Sequence, residues 1–172
     1  MNSISMDFLP GENIEVAYFA GGCFWGVENA FDHTEGVLDA TSGYMGGEID
    51  NPTYQEVCSG TTGHAETVRV MFDRSRVSYE ELAMMFFELH DPTQVNRQGF
   101  DTGTQYRSAV FYTDHRQLET LEELVGILEG QGLQVATELS PAGEFHPAEQ
   151  YHQNYFDRNG GQCHSPVNRF PR

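Results

Sequence analysis

The segment Gly21-Gly22-Cys23-Phe24-Trp25-Gly26 contains the residues best suited to chemistry in this chain. Cys23 lies where a strand-like run, 14–20, gives way to a helix-like run, 24–31. A thiol at a helix N-terminus faces unpaired backbone N–H groups and the positive end of the helix dipole, and both favour the thiolate. Phe24 and Trp25 can form an apolar wall beside the sulfur. The pattern predicts a reactive cysteine, although a free cysteine is more often a small buried apolar residue.

Three further side chains have chemistry that complements a nucleophilic sulfur. Glu66 begins a strand-like run, where burial would raise its pKa and keep it protonated as an acid. Tyr54 and Tyr106 lie in or beside two long loops, 50–63 and 91–104. A phenol can donate a hydrogen bond to a developing oxyanion. Each of these residue types is also common in a purely structural role, so none of them alone defines a site.

Cys163 follows Gly160-Gly161 near the C-terminus, where a mobile thiol could attack an oxidised cysteine and form a disulfide. Asp101 and His152 are further polar candidates, although each alone is more often an ordinary structural residue. Cys58 is expected to be a packed loop residue. The cysteines form no CxxC pair, and the histidine spacing is only weakly compatible with zinc, so no metal is expected. A hydrolase with a cysteine, histidine and aspartate needs only scattered partners, so spacing does not exclude it.

Composition limits the class of protein. A chain of 172 residues with 38% hydrophobic content suits one domain with a real core. The 26 acidic and nine basic residues give a formal net charge of −17, which disfavours nucleic acids and anionic membranes as partners. All nine basic residues are arginine, a composition that suggests adaptation to high salt. Residues 1–12 show no signal peptide and no run is long enough to span a membrane, so a reducing, cytoplasmic location is expected.

The elements that must position these residues follow the order β-α-β-β-α-β and then α-β-α. The predicted strands are 14–20, 37–44, 66–72, 108–112 and 135–139. The predicted helices are 24–31, one opened by the capping box Ser78-Tyr79-Glu80-Glu81, one capped by Asp114, and one from Pro147 to about Asn159. This order predicts an α+β fold, a two-layer sandwich with a mixed sheet and a ferredoxin-like βαββαβ core. We expect 1–172 to be a single domain, with 1–12 a loose arm and 160–172 a mobile coil tail.

Several motifs, taken together, resemble those of the A class of peptide methionine sulfoxide reductase over roughly residues 14–163. They are Gly22-Cys23-Phe24-Trp25-Gly26, Ser42-Gly43-Tyr44, Asn51-Pro52-Thr53-Tyr54, Val57-Cys58-Ser59-Gly60, Gly63-His64-Ala65-Glu66, His90-Asp91-Pro92-Thr93, Gly103-Thr104-Gln105-Tyr106-Arg107-Ser108 and Tyr151-His152-Gln153. Enzymes of this class reduce one epimer of the sulfoxide of oxidised methionine. The resemblance implies a protein-repair oxidoreductase that responds to oxidative stress.

The resemblance also implies roles for single residues. Cys23 would attack the sulfur of methionine-S-sulfoxide, free or in proteins, and become a sulfenic acid. Glu66 would protonate the sulfoxide oxygen, and Tyr54 and Tyr106 would bind it. The remaining residues implied near the substrate are Phe24 and Trp25, around the S-methyl group, and Asp101 and His152.

Cys163 would be the recycling cysteine, whose disulfide with Cys23 is reduced by thioredoxin or, in the test tube, by dithiothreitol. No cofactor is implied, and we expect a monomer. The chain departs from the family at the approach to Cys163, Asn159-Gly160-Gly161-Gln162, and has no second recycling cysteine, which favours a one-step relay. Two alternatives remain at this point: a thiol peroxidase, and a non-enzymatic metal module built on cysteine and histidine.

Overall fold

The structure is a computed structural model that describes residues 13–160 and 166–171. In these ranges the strands, numbered in chain order, are β1 (Ile14–Gly21), β2 (Val37–Met45), β3 (Ala65–Asp73), β4 (Arg97–Gln98), β5 (Asp101–Thr102), β6 (Ser108–Tyr112), β7 (Glu138–Pro141) and β8 (His146–Pro147). The helices are α1 (Phe24–Asp32), α2 (Tyr54–Cys58), α3 (Tyr79–Leu89), α4 (His115–Gly130) and α5 (Tyr155–Asn159). Single 3₁₀ turns occupy Thr104–Tyr106 and Gln150–His152. The predicted loose arm, 1–12, and Cys163 both lie outside the described residues.

The main sheet has the strand order β7-β6-β1-β3-β2-β8. All neighbouring strands in it are antiparallel except β6 and β7, which are parallel. The predicted α+β class with a mixed sheet is therefore confirmed. The short strands β4 and β5 form a separate antiparallel hairpin.

Alternation along the strands divides the apolar residues between the two faces of the sheet. Phe19 of β1 lies on the face covered by helices, where it stacks on Phe31 of α1 at 4.9 Å and on Phe86 of α3 at 5.1 Å between ring centroids. Its neighbour Tyr18 points to the opposite face and packs against Phe145 at 5.6 Å. Burying one such phenylalanine contributes about 1.5–3 kcal/mol. The cluster of buried residues on the helical face is much larger than the one on the opposite face, so the helical face supplies most of the core.

The helix starts follow the capping chemistry that the sequence predicts. The Ser78 hydroxyl accepts the Glu81 N–H at 3.0 Å, and the Glu81 carboxylate accepts the Ser78 N–H at 2.9 Å, which opens α3. The Asp114 carboxylate accepts the Gln117 N–H at 2.9 Å and opens α4. Both helices therefore begin where the sequence predicts.

The predicted helix over 147–159 is wrong. Pro147 belongs to β8, which pairs with β2, and Asn154 has a left-handed backbone (φ +54°) that interrupts any helix. Between them, the Gln153 side chain accepts the Ser42 N–H and donates to the Ser42 carbonyl, both at 2.9 Å. The segment therefore follows the edge of the sheet, and only α5 is helical. The last predicted strand is also displaced, because β7 begins at Glu138 and not at residue 135.

The end of the chain differs from the mobile tail that we expected. Phe170 is buried and packs against Phe87 at 6.3 Å between ring centroids. The Arg169 guanidinium donates to the Phe87 carbonyl at 2.8 Å, and the Arg169 N–H donates to Glu88 at 3.0 Å. Residues 166–171 are thus coil, but they are anchored on α3. Over the described residues, no helix has the length and apolar composition needed to cross a membrane.

Candidate active site

Cys23 lies between the central strand β1 and helix α1, as the sequence predicts. It is the N-cap residue of α1 and is partly exposed. Gly22 has φ +95°, a left-handed conformation that glycine adopts without strain, and this turn directs the chain from strand to helix. The sulfur makes no capping hydrogen bond, but the N–H groups of Trp25 and Gly26 lie near enough to lower its pKa. The helix N-terminus therefore faces the thiol.

The protonation of Cys23 differs from the expected thiolate. Burial and the negative charge of Glu66 raise the pKa of the thiol to about 12, and the N–H groups of Trp25 and Gly26 only partly offset this. Asp101 raises it further. The resting sulfur is therefore a neutral thiol, because desolvation outweighs the helix N-terminus.

Glu66 is the buried acid that the sequence predicts. It is 1% exposed in β3, opposite Tyr44 of β2. One carboxyl oxygen accepts the N–H of Phe24 at 3.1 Å, which links this side chain to the residue after Cys23. Burial raises the pKa of Glu66 to about 8, with a further contribution from Asp101. At neutral pH this carboxyl therefore holds a proton.

The two predicted tyrosines approach the same region from different elements. Tyr54 is the first residue of α2, and Tyr106 ends a 3₁₀ turn just before β6. Burial, and the charge of Glu66, raise the pKa of both phenols. Burial raises the pKa of the nearby Cys58 thiol, and both hydroxyls lower it by less. Cys58 is exposed and does not pack inside its loop as we expected. The structure thus brings two neutral phenols and a second thiol beside Glu66.

An aromatic cluster surrounds His152. Its ring lies 4.4 Å from that of Tyr54, 5.2 Å from Phe24 and 4.1 Å from Tyr151, between centroids. The indole N–H of Trp25 donates to His152 Nδ1 at 3.0 Å. Because an indole can only donate, the neutral imidazole must carry its hydrogen on Nε2. Burial lowers the pKa of His152, which favours this neutral form.

The apolar wall is divided between core and surface. Phe24 is 1% exposed and belongs to the core, whereas Trp25 is partly exposed. Asp101 is exposed on β5, and its charge acts on both Cys23 and Glu66. Cys163 lies outside the described residues, so the structure does not place it. Eight of the nine predicted site residues therefore have a described position.

Glu149 is a residue of this region that the sequence analysis missed. Its carboxylate accepts the Tyr54 N–H and the Tyr44 hydroxyl, both at 2.9 Å. Burial raises its pKa, but these hydrogen bonds lower it by more, so it stays ionised. It lies three residues before His152, and this closeness to a recognised motif was the available signal. Glu149 holds the start of α2, and with it Tyr54, against β2.

Tyr155 is a second missed residue. Its ring stacks on Trp25 with 3.8 Å between centroids and 7° between planes. The buried Glu28 anchors the chain just before it, accepting the Ser42 hydroxyl at 2.6 Å and the Asn154 N–H at 2.9 Å. Helix α5 therefore supports the indole through this stacked ring.

Histidines elsewhere in the recognised motifs have structural partners. His64 accepts the Gly47 N–H at 3.0 Å and donates to the Ile49 carbonyl at 2.7 Å. His90 donates to the Phe86 carbonyl and accepts the Ser108 hydroxyl, both at 2.7 Å. Burial lowers the pKa of His90 to about 4. These rings therefore fix loops and do not take part in the reactive group.

Comparisons with known proteins identify the family. The sequence model described as peptide methionine sulfoxide reductase matches residues 15–171. A peptide methionine sulfoxide reductase MsrA from Nautilia profundicola is 51% identical over 146 residues, which cover 85% of this chain and 84% of that protein. A Deinococcus radiodurans MsrA is 49% identical over 156 residues, covering 89% and 76%.

Solved structures agree with the sequence relatives. Methionine sulfoxide reductase A of Corynebacterium diphtheriae superimposes with a TM-score of 0.79 at 41% identity, covering 90% of this chain and 79% of that one. Reduced Mxr1 from Saccharomyces cerevisiae gives a TM-score of 0.83 at 34% identity and covers 90% of both chains. The match extends over the strand, helix and loops that carry the reactive group. This chain therefore belongs to the peptide methionine sulfoxide reductase family and is an oxidoreductase that reduces methionine sulfoxide.

Proposed function

We propose that the substrate is methionine-S-sulfoxide, free or in oxidised proteins, with Cys23 as the nucleophile and Glu66 as the acid. The observation that carries this assignment is the hydrogen bond from the Phe24 N–H to the buried, protonated Glu66 carboxyl. It links the only strongly buried acid of the reactive group, within the described residues, to the residue that follows the thiol. The biological role is then the repair of methionine oxidised under stress.

The reaction balances on this chain's own groups. The Cys23 sulfur attacks the substrate sulfur while Glu66 transfers its proton to the sulfoxide oxygen. The oxygen moves to Cys23, so methionine leaves reduced and Cys23 becomes a sulfenic acid. The proton lost by the thiol restores Glu66. One carboxyl thus supplies and recovers a proton, which requires a pKa near the working pH.

The neighbouring side chains have supporting roles in this proposal. The neutral phenols of Tyr54 and Tyr106, which lie close to Glu66, bind the sulfoxide oxygen. Trp25 and Phe24 surround the S-methyl group. The substrate also lies near Asp101 and His152.

Recycling needs only thiols, so we propose no prosthetic group. The Cys163 thiol attacks the Cys23 sulfenic acid, water leaves, and a Cys23–Cys163 disulfide forms. Thioredoxin then supplies two electrons to reduce that disulfide in a one-step relay, and dithiothreitol can replace it. Support comes from yeast Mxr1, a relative that has been solved in complex with Trx2.

The finer points of architecture are also proposals. The antiparallel order β6-β1-β3-β2, with α1 and α3 on one face, supports a ferredoxin-like βαββαβ core in a single domain, 1–172. The three cysteines and the strongly acidic composition support a cytoplasmic monomer that binds neither nucleic acid nor membrane.

Replacing single cysteines tests the nucleophile. We expect Cys23→Ser to abolish reduction of methionine-S-sulfoxide with dithiothreitol, because serine cannot accept the oxygen in this way. The matched variant Cys58→Ser should retain activity within a few-fold. Mass spectrometry of both sulfoxide epimers measures the product. Surviving activity in Cys23→Ser would refute the assignment, and turnover of hydrogen peroxide but not sulfoxide would indicate a thiol peroxidase.

The same assay tests the relay. Cys163→Ser should complete one turnover, releasing one methionine per enzyme, and then stop when thioredoxin is the reductant. Single-turnover product and steady-state thioredoxin oxidation are measured side by side. Normal steady-state cycling in Cys163→Ser would move the relay to Cys58 or to direct reduction of the sulfenic acid.

A further inference from the structure

A fully exposed phenylalanine forms the tip of the hairpin made by β4 and β5. Gln98 pairs with Asp101, which leaves Gly99 and Phe100 as the two turn residues. Gly99 has φ +62°, a conformation that suits such turns. Phe100 is 105% exposed, as open to solvent as in an extended peptide. Turns of this length favour small polar residues, so the fold itself gives no reason for a large aromatic side chain here.

The backbone that presents Phe100 is well held. The Gly99 N–H donates to the Gln94 side chain at 2.7 Å, and the Arg97 guanidinium donates to the Gly99 carbonyl at 3.1 Å. Below the tip, the Gln98 amide accepts the Asp91 N–H at 2.7 Å and donates to the Asp91 carbonyl at 3.0 Å. A side chain on an ordered backbone loses little conformational entropy when it binds.

The hairpin adjoins the catalytic cysteine. A Cβ atom placed on Gly22 would lie 2.9 Å from the Gln98 side chain, so the hairpin packs directly on the residue before Cys23. Asp101, the residue after Phe100, acts by its charge on Cys23 and Glu66. A polypeptide whose oxidised side chain reaches Cys23 therefore passes beside this hairpin.

A second apolar side chain lies in the same segment. Val95 is 69% exposed, one residue before Asn96, whose carbonyl accepts the Gly103 N–H at the base of the hairpin. Single exposed apolar residues are ordinary on protein surfaces. Here one lies at the base and the other at the tip of an ordered hairpin that packs against the residue before Cys23, so both are available to a bound polypeptide.

We propose that Phe100, together with Val95, binds an apolar side chain of the oxidised polypeptide within a few residues of its methionine sulfoxide. This rests on the proposed function, because it concerns the substrate of that same site. Free methionine sulfoxide has no flanking side chain and gains nothing from the contact. The net charge of −17 also disfavours acidic flanking sequences, so the preferred segment is apolar and not acidic.

Two short blocked peptides test this contact, one with leucine and one with glycine on both sides of methionine-S-sulfoxide. Free methionine-S-sulfoxide is the third substrate, and dithiothreitol is the reductant throughout. We expect Phe100→Ser to lower kcat/KM for the leucine peptide about tenfold through KM, a loss of about 1.4 kcal/mol. Its rates with the glycine peptide and the free amino acid should not change, and Phe100→Leu should restore most of the loss.

Leu38→Ser is the matched control, because Leu38 is 49% exposed near the start of β2, at the opposite end of that strand from Tyr44. It should leave all three substrates unaffected. An unchanged KM for the leucine peptide in Phe100→Ser would overturn the proposal. In a parallel assay with thioredoxin in place of dithiothreitol, a defect that appears only with thioredoxin would make the tip a thioredoxin contact and would also overturn the proposal. So would a dimer in sedimentation that Phe100→Ser abolishes. If the wild type reduces none of the substrates, it is the proposed function that fails.

Discussion

At the scale of single residues, burial decides the protonation of the reactive pair. A helix N-terminus favours a negative charge by about 0.3–1 kcal/mol, and by up to about 2 kcal/mol in partly buried sites. Removing a charge from water costs several kcal/mol. For Cys23 the second effect is larger, so its pKa rises to about 12 although the N–H groups of Trp25 and Gly26 lower it. The resting site therefore holds two protons, one on sulfur and one on Glu66, until a sulfoxide arrives.

The raised pKa of Glu66 predicts how the rate of sulfoxide reduction depends on pH. Because its pKa is about 8, the acid form is present at neutral pH and is lost as the pH rises through that value. We expect the single-turnover rate of sulfoxide reduction to fall between pH 7 and pH 9, with no thiol ionisation limb in that range. Rapid mixing of the reduced enzyme with substrate, followed by acid quench, measures this rate.

Glu66→Gln is the companion variant. It keeps the shape of the side chain but has no proton to give, so the rate should fall about 100-fold or more, the usual contribution of a general acid. Its residual rate should not decline above pH 7. A wild-type rate that rises with pH would show instead that thiolate formation limits the reaction.

At the scale of elements, short capped segments position the site. The long loop predicted over 50–63 contains α2, opened by a capping box in which Thr53 accepts the Glu56 N–H at 3.1 Å and Glu56 accepts the Thr53 N–H at 2.8 Å. The same pairing opens α3 at Ser78 and Glu81. Because Tyr54 directly follows Thr53, the first box orients a phenol of the site, whereas the second has no such neighbour.

This pair of capping boxes gives a matched experiment. Thr53→Ala and Ser78→Ala each remove one cap and should each lower the free energy of unfolding by about 1 kcal/mol. Only Thr53→Ala should also lower kcat/KM, by about threefold or more, because Tyr54 loses its fixed position. Urea unfolding and steady-state kinetics measure the two effects. Equal activity in both variants would show that Glu149 alone suffices to hold α2.

The elements that the sequence predicts correctly are those that carry strong local signals. The alternation in β1 and the apolar face of α4 reflect burial on one side, and the caps of α3 and α4 are hydrogen bonds within four residues. The helix predicted from Pro147 failed because its alternative partners, Ser42 and Glu28, lie more than 100 residues away in the chain. Helix α2 was missed although its capping box, Thr53 to Glu56, is visible in the sequence.

The candidate site follows the same division. The motifs that contain Cys23 and Glu66 resemble those of one family, and this resemblance predicts their closeness. In the structure Cys23 follows β1, and Glu66 lies in the neighbouring strand β3. Glu149 acts on Tyr54 across 95 residues of chain, and Tyr155 stacks on Trp25 across 130. No periodicity or spacing reports such contacts. The raised pKa of Cys23 was missed because the degree of burial depends on the packed structure.

At the scale of the whole molecule, charge opposes compaction. A net charge of −17 concentrated on a small fold repels itself, and salt shortens the range of that repulsion to about 3 Å at 1 M. We expect the melting temperature at pH 7.5 to rise by several degrees between low salt and 2 M NaCl. Differential scanning calorimetry checks this.

A less acidic variant serves as the control. Replacing Glu122, Glu123 and Glu129, all exposed on α4, with glutamine changes the net charge from −17 to −14. The variant should melt higher in low salt and gain less from added NaCl. A flat response of the wild type to salt would discard the idea of high-salt adaptation.

The two outermost strands of the sheet have a consequence for behaviour at high concentration. Strand β7 has four residues, β8 has two, and each ends in proline, at Pro141 and Pro147. Beyond β8, the Gln153 amide occupies both backbone groups of Ser42. An unfolded chain that seeks a free strand edge therefore finds few open N–H groups on either side. The fold is thus protected from amyloid-like growth while it handles damaged, partly unfolded polypeptides.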